Sequence, residues 1–557
     1  MKKLILIGAS TFALSMAGGA LAQSAPADPL SPTADPATPD CDGVVGNCSL
    51  GEQDGTGLSI TVTQSNTGNV SDIDQVGGAS ATGATATVTQ SGSDNDSYIL
   101  QDSTGIAGFP SRVTVNQTGV GADSTVRQDG TRNFSAFVNQ ADGANSAYLQ
   151  QDGFGQSRLD SQASIRQNSG TGNTALAFQQ SSNSTIGTNG NNGITQNGDF
   201  NNSEVYQLAA GRNLQARSDQ TGDNNDSVII QSNNGGSGTM RARATQNGDD
   251  NISSVVQTGV RGATVFNSQM VDINQSGSDN LSRVEQNNQN SGADTSGFQL
   301  FQNDDGNDSF IIQDAGTARA QVTQNSTDTS GSVSGTAVAN FFDGGTDDVR
   351  ANFSRIEQTG SSRSDTTLTQ TGFGNRSDIR QENTVAGFVT TATVVQNGEG
   401  NNSDVGQTDF NTVFVDQIGD DNASLAIQSG DSNTGDINQT GNTGSSSLFQ
   451  ASANNQATLN QSNADNESQI DQGFTAGSDG NMADVDQTGS NNDSFIQQGF
   501  DALGTDNDAD VLQSGNDNFS SIVQEGNLNT ADVTQATNGN TSFVTQSGSG
   551  GSVTVNQ

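Results

Sequence analysis

The sequence predicts an all-β fold: a β-solenoid, or cross-β stack, of strand-turn-strand coils with two short strands per coil. Three observations predict it. Glutamine returns at a fixed interval, the residues before each glutamine alternate in character, and Gly, Asn and Asp gather between the alternating stretches. A long fixed period is typical of one supersecondary unit that is stacked on copies of itself.

The glutamine interval is eleven residues over long stretches of the chain. It holds in two runs, Gln417, Gln428, Gln439, Gln450, Gln461, Gln472 and Gln513, Gln524, Gln535, Gln546, Gln557. Elsewhere steps of eleven alternate with steps of fifteen or sixteen, as from Gln220 through Gln231 and Gln246 to Gln257. Two strands per coil explain this alternation, because one turn stays tight while the other accepts insertions at one edge.

Each unit follows the template Q-x-G-x-x-N-x-[S/A]-x-φ-x-Q, in which φ is usually Val or Ile. Asn, Ser or Ala, φ and Gln occupy alternate positions, so they share one face of a β-strand. The Gly, Asn and Asp residues of the first half mark a turn. The predicted inward ladder residues are, besides the two glutamine runs, Gln246, Asn251, Val255, Gln257, Gln275, Asn280, Val284, Gln286, Asn518, Ile522, Asn529 and Val533.

An eleven-residue period is also compatible with a right-handed α-helical coiled coil. The sequence disfavours a helix because a glycine recurs in most units and costs about 1 kcal/mol at a helical position. The β-branched apolar residues and the spacing of two also favour strands.

The composition is highly polar and acidic, with a net charge of -42 and 30% hydrophobic residues. Taken alone, it is typical of a disordered chain. Stacked amide side chains provide the missing cohesion, since identical Asn and Gln residues hydrogen-bond along the axis of a cross-β array. Aspartates cluster in the turns, where they keep the chain soluble and slow premature association.

The N-terminal region differs from the repeats. Residues 1–22 read as a secretory signal peptide, with Lys2 and Lys3, an apolar stretch and a small-residue cleavage motif. Residues 23–59 form a proline-rich, disordered leader with the two cysteines, Cys41 and Cys48. In an exported chain the pair either closes a small disulfide loop or stays as free thiols, and the sequence leaves both open. Residues 60–557 form the repeat solenoid, which is degraded near 325–350.

The repeat template resembles the curlin repeat of bacterial curli fibre subunits, for example in Ser203–Gln207 and Asn529–Gln535. The resemblance covers roughly residues 60–557. It implies an extracellular functional amyloid with a role in biofilm matrix and cell adhesion. It also implies self-assembly into a homopolymer, a nucleator subunit and secretion through an outer-membrane channel. The chain departs from ordinary curli subunits in its length, its acidity, its long insertions and its cysteine pair.

Several other functions are disfavoured by the composition. Without histidine the chain cannot form Ser-His-Asp or Cys-His sites, so we expect no enzymatic activity, no cofactor and no catalytic residue. The acidic balance disfavours nucleic acid, and no stretch of the mature chain reaches membrane-spanning length. Acidic turns offer oxygen ligands for calcium, but the G-G-x-G-x-D-x-U-x repeat is absent, so no metal site is predicted. The alternative function is a monomeric surface-binding solenoid, an adhesin or ice-binding protein, because short Thr-x-Thr runs such as Thr85–Thr89 occur.

Overall fold

The computed structural model describes residues 46–77, 83–103, 111–130, 134–153, 161–180, 184–186, 193–208, 214–233, 239–259, 268–288, 297–326, 352–383, 388–500 and 503–557. Every regular element in these ranges is a β-strand. The predicted signal peptide, Cys41 and most of the degraded stretch near 325–350 lie outside the described residues.

The strands form two parallel sheets that face each other. The first sheet contains β1 (Cys48–Asp54), β3 (Val70–Gly77), β5 (Asp96–Ser103), β7 (Asp123–Gly130), β9 (Ser146–Gly153), β11 (Thr174–Gln179), β14 (Asn202–Leu208), β16 (Asp226–Asn233), β18 (Ile252–Gly259), β20 (Leu281–Asn288), β24 (Arg376–Asn383), β26 (Asn402–Thr408), β28 (Ala423–Gln428), β30 (Ser445–Gln450), β32 (Glu467–Gln472), β34 (Asp493–Gln498), β37 (Phe519–Gln524) and β40 (Thr541–Gln546).

The second sheet contains β2 (Ser59–Gln64), β4 (Thr85–Gln90), β6 (Arg112–Gln117), β8 (Phe134–Gln140), β10 (Ser161–Ser169), β12 (Ser184–Ile186), β13 (Ile194–Asn197), β15 (Leu214–Thr221), β17 (Thr239–Asn247), β19 (Ser268–Ser276), β21 (Gly297–Asn303), β25 (Val389–Asn397), β27 (Thr412–Ile418), β29 (Thr434–Gln439), β31 (Gln456–Gln461), β33 (Met482–Gln487), β36 (Asp508–Gln513), β39 (Thr530–Gln535) and β41 (Ser552–Asn556).

Four strands differ from this arrangement. The long strands β22 (Asp308–Asn325) and β23 (Phe353–Thr371) contribute their first halves to the first sheet and their second halves to the second. The short strands β35 (Gly504–Thr505) and β38 (Gly526–Asn527) pair with each other outside both sheets.

Apart from β12 and β13, which both lie in the second sheet, successive strands of the two sheets alternate between them, and each strand pairs in parallel with its counterpart on the next coil. Glutamine aligns with glutamine in these pairs, as in Gln257 with Gln286 and Gln246 with Gln275. The chain is therefore a β-solenoid with two strands per coil, which confirms the predicted fold class. The longer glutamine steps mostly lead from the first sheet to the second, so one edge of the solenoid receives most of the insertions.

The core lies between the two sheets and runs the length of the solenoid. Burial alternates along most strands, as in β39, where Ala531, Val533 and Gln535 are buried and the residues between them are more exposed. One aliphatic residue per strand usually precedes the glutamine by two positions, and these residues form one continuous apolar cluster. The alternation in the sequence thus becomes an inner face and an outer face.

The solenoid begins earlier than the sequence predicts. Strand β1 occupies Cys48–Asp54, inside the segment 23–59 that is assigned to the leader from sequence. Its glutamine, Gln53, aligns with Gln75 of β3. Gly51 stands where other strands carry Val or Ile, so β1 lacks the apolar residue by which a strand is recognised.

Candidate functional site: the interior ladders and the open ends

Two uninterrupted columns of glutamine run along the interior, one in each sheet. In both columns the Nε2 of each glutamine donates to the Oε1 of the glutamine on the following coil, at 2.6–3.0 Å. The first column runs from Gln53 to Gln546 and the second from Gln64 to Gln557. All of these bonds point in the same direction along the axis.

The backbone fixes this direction. Gln246 Nε2 also donates to the carbonyl oxygens of Asp226 and Asn251, at 2.9 Å each. A rotated amide would place Oε1 against these two carbonyl oxygens, and two acceptors repel each other. Because this arrangement recurs along the column, as at Gln90 and Gln487, the columns have an intrinsic polarity.

Asparagines form a third ladder, and it points the opposite way. Asn280 Nδ2 and backbone N–H donate to Asn251 Oδ1, which belongs to the preceding coil. Asn251 Nδ2 also donates to the carbonyl oxygen of Gly277 in the turn of the next coil, at 2.7 Å. Each asparagine therefore connects three coils, and it holds the turn as well as the strand.

The structure places the predicted ladder residues inside the solenoid, except at its end. Gln246, Asn251, Val255, Gln257, Gln275, Asn280, Val284, Gln286, Gln417, Gln428, Gln439, Gln450, Gln461, Gln472, Gln513, Asn518, Ile522, Gln524, Asn529, Val533 and Gln535 are at most 2% exposed. Gln546 is 7% exposed and Gln557 is exposed, because they lie in the last coil. Cys48 opens β1, whereas Cys41 lies outside the described residues, so the disulfide between them stays a prediction.

The serine that alternates with alanine four positions before the glutamine has two environments. Ser253 and Ser494 are buried, and their hydroxyls have no hydrogen-bond partner. Ser468 Oγ instead accepts from Gln461 Nε2 at 2.9 Å. The hydroxyl is therefore useful to the ladder in some coils and an unpaired polar group in others.

The turns bring successive coils into close contact. A glycine commonly stands two residues after the glutamine, and in Gly515 an added Cβ would lie 2.2 Å from the carbonyl oxygen of Thr537 on the next coil. Two residues later the backbone is left-handed, with φ of 56° at Asp250 and 58° at Asp279. Gly, Asn and Asp tolerate these conformations, which explains the composition of the turns.

Sequence reasoning missed a structural role of the acidic turns. Asp223 N–H donates to Asp249 Oδ1 on the next coil at 2.7 Å, and Asp199 N–H donates to Asp223 Oδ1 in the same way. Asparagine replaces aspartate in this role at Asn442, which accepts from Asp420 N–H at 3.0 Å. The signal was present in the sequence, since Asp or Asn recurs three residues after many of the glutamines.

The carboxylates on the outer face have nearby arginines in one region of the solenoid and none in another. In the C-terminal coils, burial and the charges of Asp484, Asp532, Asp508 and Asp486 raise the pKa of Asp510. Asp471, which points outward but is only 5% exposed, accepts two hydrogen bonds from Gln469 Nε2.

Burial raises the pKa of Asp471 to about 6. Earlier in the chain, burial also raises the pKa of Asp219, but Arg217 and Arg243 oppose that rise. The same outward position is thus compensated in one region and uncompensated in another.

Both ends of the described solenoid are open. Within the described residues β1 pairs only with β3 and β2 only with β4, while β40 pairs only with β37 and β41 only with β39. The apolar residues that pack on the core but remain partly exposed are those of the end strands β2 and β41: Ile60, Val62, Val553 and Val555. Each end therefore presents unpaired backbone groups around an incomplete core.

Three stretches of the C-terminal region match the family model of the curlin associated repeat, at residues 409–441, 504–536 and 529–557. These stretches are similar to curlin repeats. The matches confirm the resemblance that the sequence template shows, and the curlin-repeat family is a structural one. They lie where the glutamine spacing is most even. No curated protein matches the chain.

Across the part of the chain that the structure describes, no group of three or more Cys, Asp or Glu side chains is arranged to hold a metal ion. No helix among those residues has the length and apolar character needed to cross a bilayer.

Proposed function

We propose that this chain is a secreted structural subunit that polymerises into curli-like extracellular amyloid fibres for biofilm matrix and cell adhesion. The curlin repeats and the β-solenoid fold fit a curli-like structural subunit. The observation that carries the proposal is the pair of open ends, where backbone edges, amide columns and apolar core are all interrupted. An unpaired strand edge is a template for pairing with another chain.

Stacking of one chain on another is favourable because it adds hydrogen bonds and apolar contacts at the two end coils. The amides of the end coils are the more exposed members of the columns, and a neighbouring coil would continue their hydrogen bonds, each with a net gain of about 0.5–1.5 kcal/mol. The backbone edges of two strands pair at the same time, and the exposed parts of the end-strand valines and isoleucine become buried. Polymerisation therefore repeats between chains the contacts that hold coils together within one chain.

The same proposal includes the partners that the curlin resemblance implies. They are further copies of this chain, a nucleator subunit and an outer-membrane secretion channel. The predicted signal peptide of residues 1–22 supports export, and the matched repeats support self-assembly. The acidic surface supports a chain that binds no nucleic acid.

Incubation of residues 23–557 without denaturant tests the proposal. We expect fibres that bind amyloid dyes and give diffraction spacings of about 4.7–4.8 Å along the axis and about 10 Å across it. Material that remains monomeric through prolonged incubation at high concentration and with seeds would contradict the proposal.

The ladder mechanism has its own test. We predict that replacing Gln524, Gln535 and Gln546 by alanine slows seeded growth at least tenfold, because three interior amide links are lost. The matched controls are Asp420→Asn and Asp517→Asn in the turns. Asparagine keeps the Oδ1 acceptor that Glu399 N–H uses at Asp420, so growth should change little. Equal effects of the two sets would argue against amide ladders as the driving contact.

One observation favours the alternative, a monomeric surface-binding solenoid. The outward residues Thr61, Thr87 and Thr114 align on the consecutive strands β2, β4 and β6. The next residue in this row is Phe137, so the threonine row is short. A chain that inhibits ice growth and stays monomeric on sizing would support this alternative over the fibre.

A further inference from the structure

A stacked pair of phenylalanines lies on one edge of the C-terminal coils, outside the core. It stands where the chain passes from the first sheet to the second, which we call the insertion edge. Two insertions begin alike there, since Gly473-Phe474 and Gly499-Phe500 each directly follow a glutamine of the interior column. The rings of Phe474 and Phe500 pack against each other with 4.8 Å between their centroids. Consecutive coils therefore present an aromatic pair at this edge.

Two leucines extend the aromatic pair along the same edge. Leu503 belongs to the insertion that carries Phe500, and Leu528 stands in the turn of the next coil, where β38 pairs with β35 of that insertion. A Cβ added to Gly477 would lie 3.5 Å from Leu503 Cδ1, so this leucine packs against the preceding insertion. Phe474 is 46% exposed, Leu503 49% and Leu528 63%. The apolar ridge of three consecutive coils consists of Phe474, Phe500, Leu503 and Leu528.

Leu528 holds a backbone conformation that is unfavourable for its side chain. Its φ is 57°, in the left-handed region, whereas the other left-handed turn residues that carry a side chain are mostly Asp or Asn. Asp and Asn visit this region more readily because their short polar side chains hydrogen-bond locally. A leucine in this place is strained and also leaves most of its apolar surface in water. Strain of this kind is concentrated where it positions a functional group, so Leu528 indicates a role beyond the packing of the chain itself.

The apolar ridge lies in a strongly anionic part of the surface. The two insertions carry Asp479 and Asp506, and the turn of Leu528 carries Glu525. Asp506 is exposed, and its Oδ1 would lie 2.7 Å from a Cβ added to Gly480 of the preceding insertion. Residues 388–557 contain neither lysine nor arginine, so this part of the chain offers these carboxylates no cationic side chain. The negative potential attracts cations and repels anionic surfaces.

We propose that the apolar ridge is a docking site for a partner protein whose contact segment combines leucine or phenylalanine with lysine or arginine. The apolar side chains of the partner cover the exposed phenylalanine and leucine surfaces, and its cations meet the surrounding carboxylates. Exposed apolar clusters with a polar rim mark interaction sites, and complementary charge selects the partner. The ridge lies on the side of the solenoid, so the site does not depend on polymerisation and goes beyond the proposed function.

A synthetic peptide of leucine and lysine is the probe for this site. A serine-lysine peptide of equal charge and a leucine-glutamate peptide of equal length are its comparisons. Fluorescence anisotropy of each labelled peptide measures its affinity for the folded chain of residues 23–557, at an ionic strength that screens long-range attraction. The serine-lysine peptide measures the general attraction of a cation to an acidic chain, so the difference between the two lysine peptides isolates the apolar contact.

Uncharged substitutions remove parts of the ridge without changing the electrostatic attraction. Leu528→Asn places a residue that tolerates the left-handed conformation, so the folded chain should be at least as stable as the unmodified one. Phe474→Ser removes one ring of the stacked pair. Phe200→Asn is the matched control, because Phe200 is also 63% exposed with a φ of 55° but lies in a turn of the opposite edge. Thermal melts followed by circular dichroism check that each variant keeps its fold.

We expect the leucine-lysine peptide to bind about tenfold more tightly than either comparison peptide. The double variant Leu528→Asn with Phe474→Ser should lower that affinity about tenfold, because apolar contact area is lost. Phe200→Asn should leave the affinity unchanged. Equal affinities of the leucine-lysine and serine-lysine peptides, or an equal loss in Phe200→Asn, would overturn the docking site.

Two further readouts separate this proposal from self-association. Light scattering without peptide shows whether chains associate side by side. If Leu528→Asn abolished such association while the peptide failed to bind, the ridge would belong to a second copy and the proposed partner would be wrong. The substitutions leave the amide columns intact, so fibre formation tests the proposed function separately. A chain that binds the peptide but forms no fibre would support the docking site and overturn the fibre-forming function.

Discussion

Two regions of the solenoid share one interior but carry different surfaces. The arginine-bearing region, residues 112–380, contains every arginine of the chain, whereas the C-terminal region, residues 388–557, contains neither lysine nor arginine. The glutamine columns pass through both without a change in geometry, with the same 2.9 Å bonds at Gln246 and Gln513. The interior therefore specifies the fold, and the outer face is free to vary.

The outer faces differ in how charge is balanced. In the arginine-bearing region, arginines pair with carboxylates two residues away on the same strand, as in Arg355 with Glu357 at 3.1 Å and Arg363 with Asp365 at 2.7 Å. Arg376 also lies over the Phe353 ring at 5.1 Å. In the C-terminal region, outward aspartates such as Asp484 and Asp510 align on consecutive coils with no cation beside them.

The turns of the C-terminal region are more regular than those of the arginine-bearing region. In the C-terminal region, the edge at which the chain passes from the first sheet to the second also carries an asparagine ladder. In this ladder Asn507 Nδ2 donates to Asn481 Oδ1 and Asn529 Nδ2 to Asn507 Oδ1, at 3.1 Å each. In the arginine-bearing region that edge receives most of the long insertions. The C-terminal region thus gains regularity in its turns where it lacks ion pairs on its surface.

The largest expected effect tests whether the interior is equivalent in the two regions. Gln246→Ala and Gln461→Ala should each lower the free energy of unfolding by about 3 kcal/mol, because each leaves buried partners unpaired. Gln246 bonds Gln275 and Gln220, and Gln461 bonds Gln487 and Gln439. Local hydrogen exchange around each site measures the loss. A large effect in one region and none in the other would show that the columns are not equivalent.

The sequence predicts the regular part of this architecture well. The glutamine period gives the stacking, the alternation gives the strands, and the two step lengths give two strands per coil. These features are predictable because each depends on residues that lie close together in the chain. The segment from Gln417 to Gln439, for example, shows the eleven-residue interval by itself, so the interval can be read without the neighbouring coils.

What the sequence does not predict depends on contacts between coils. The direction of the amide columns follows from backbone carbonyls such as that of Asp226, which lies twenty residues before Gln246. The turn bond from Asp223 to Asp249 joins coils in the same way. The burial of Asp471 is equally hidden, since its alternating position marks it as outward. Strand β1 is equally hard to predict, because Gly51 stands where other strands carry an aliphatic residue.

The next prediction concerns the pH dependence of the C-terminal region, where outward aspartates have no cation beside them. The pKa of Asp484 and that of Asp510 are raised by burial and then by neighbouring carboxylates. A raised folded pKa means that the stabilising contribution is present below the ordinary value of 3.8 and is lost as the pH rises through the folded pKa. The pKa of Asp471, at about 6, places the upper limit of that window near pH 6. The C-terminal region should therefore become more stable as the pH falls from 7 to 5.

Hydrogen exchange at the two pH values, corrected for the intrinsic rate, measures this change region by region. Replacing Asp484, Asp510 and Asp532 by asparagine should stabilise the C-terminal region at pH 7 by roughly 1 kcal/mol, since screened surface charges contribute little individually. The strands around Asp219 should respond less, because Arg217 and Arg243 oppose the rise in the pKa of Asp219. An equal pH response around Asp219 and around Asp510 would contradict the role given to the missing cations.

The smallest effect tests whether the two regions are alike at a single interior position. Ser253 of β18 and Ser468 of β32 both stand four residues before a glutamine, but only Ser468 Oγ has a partner, Gln461 Nε2. Removing an unpaired buried hydroxyl relieves a desolvation cost, whereas removing a paired one forfeits a hydrogen bond worth about 1 kcal/mol. Ser253→Ala should therefore leave the free energy of unfolding unchanged or raise it, and Ser468→Ala should lower it by about 1 kcal/mol. Because alanine already occupies this position in strands such as β39, neither change disturbs the packing. Local hydrogen exchange separates the two cases, and a loss of stability in Ser253→Ala would show that its hydroxyl serves the ladder after all.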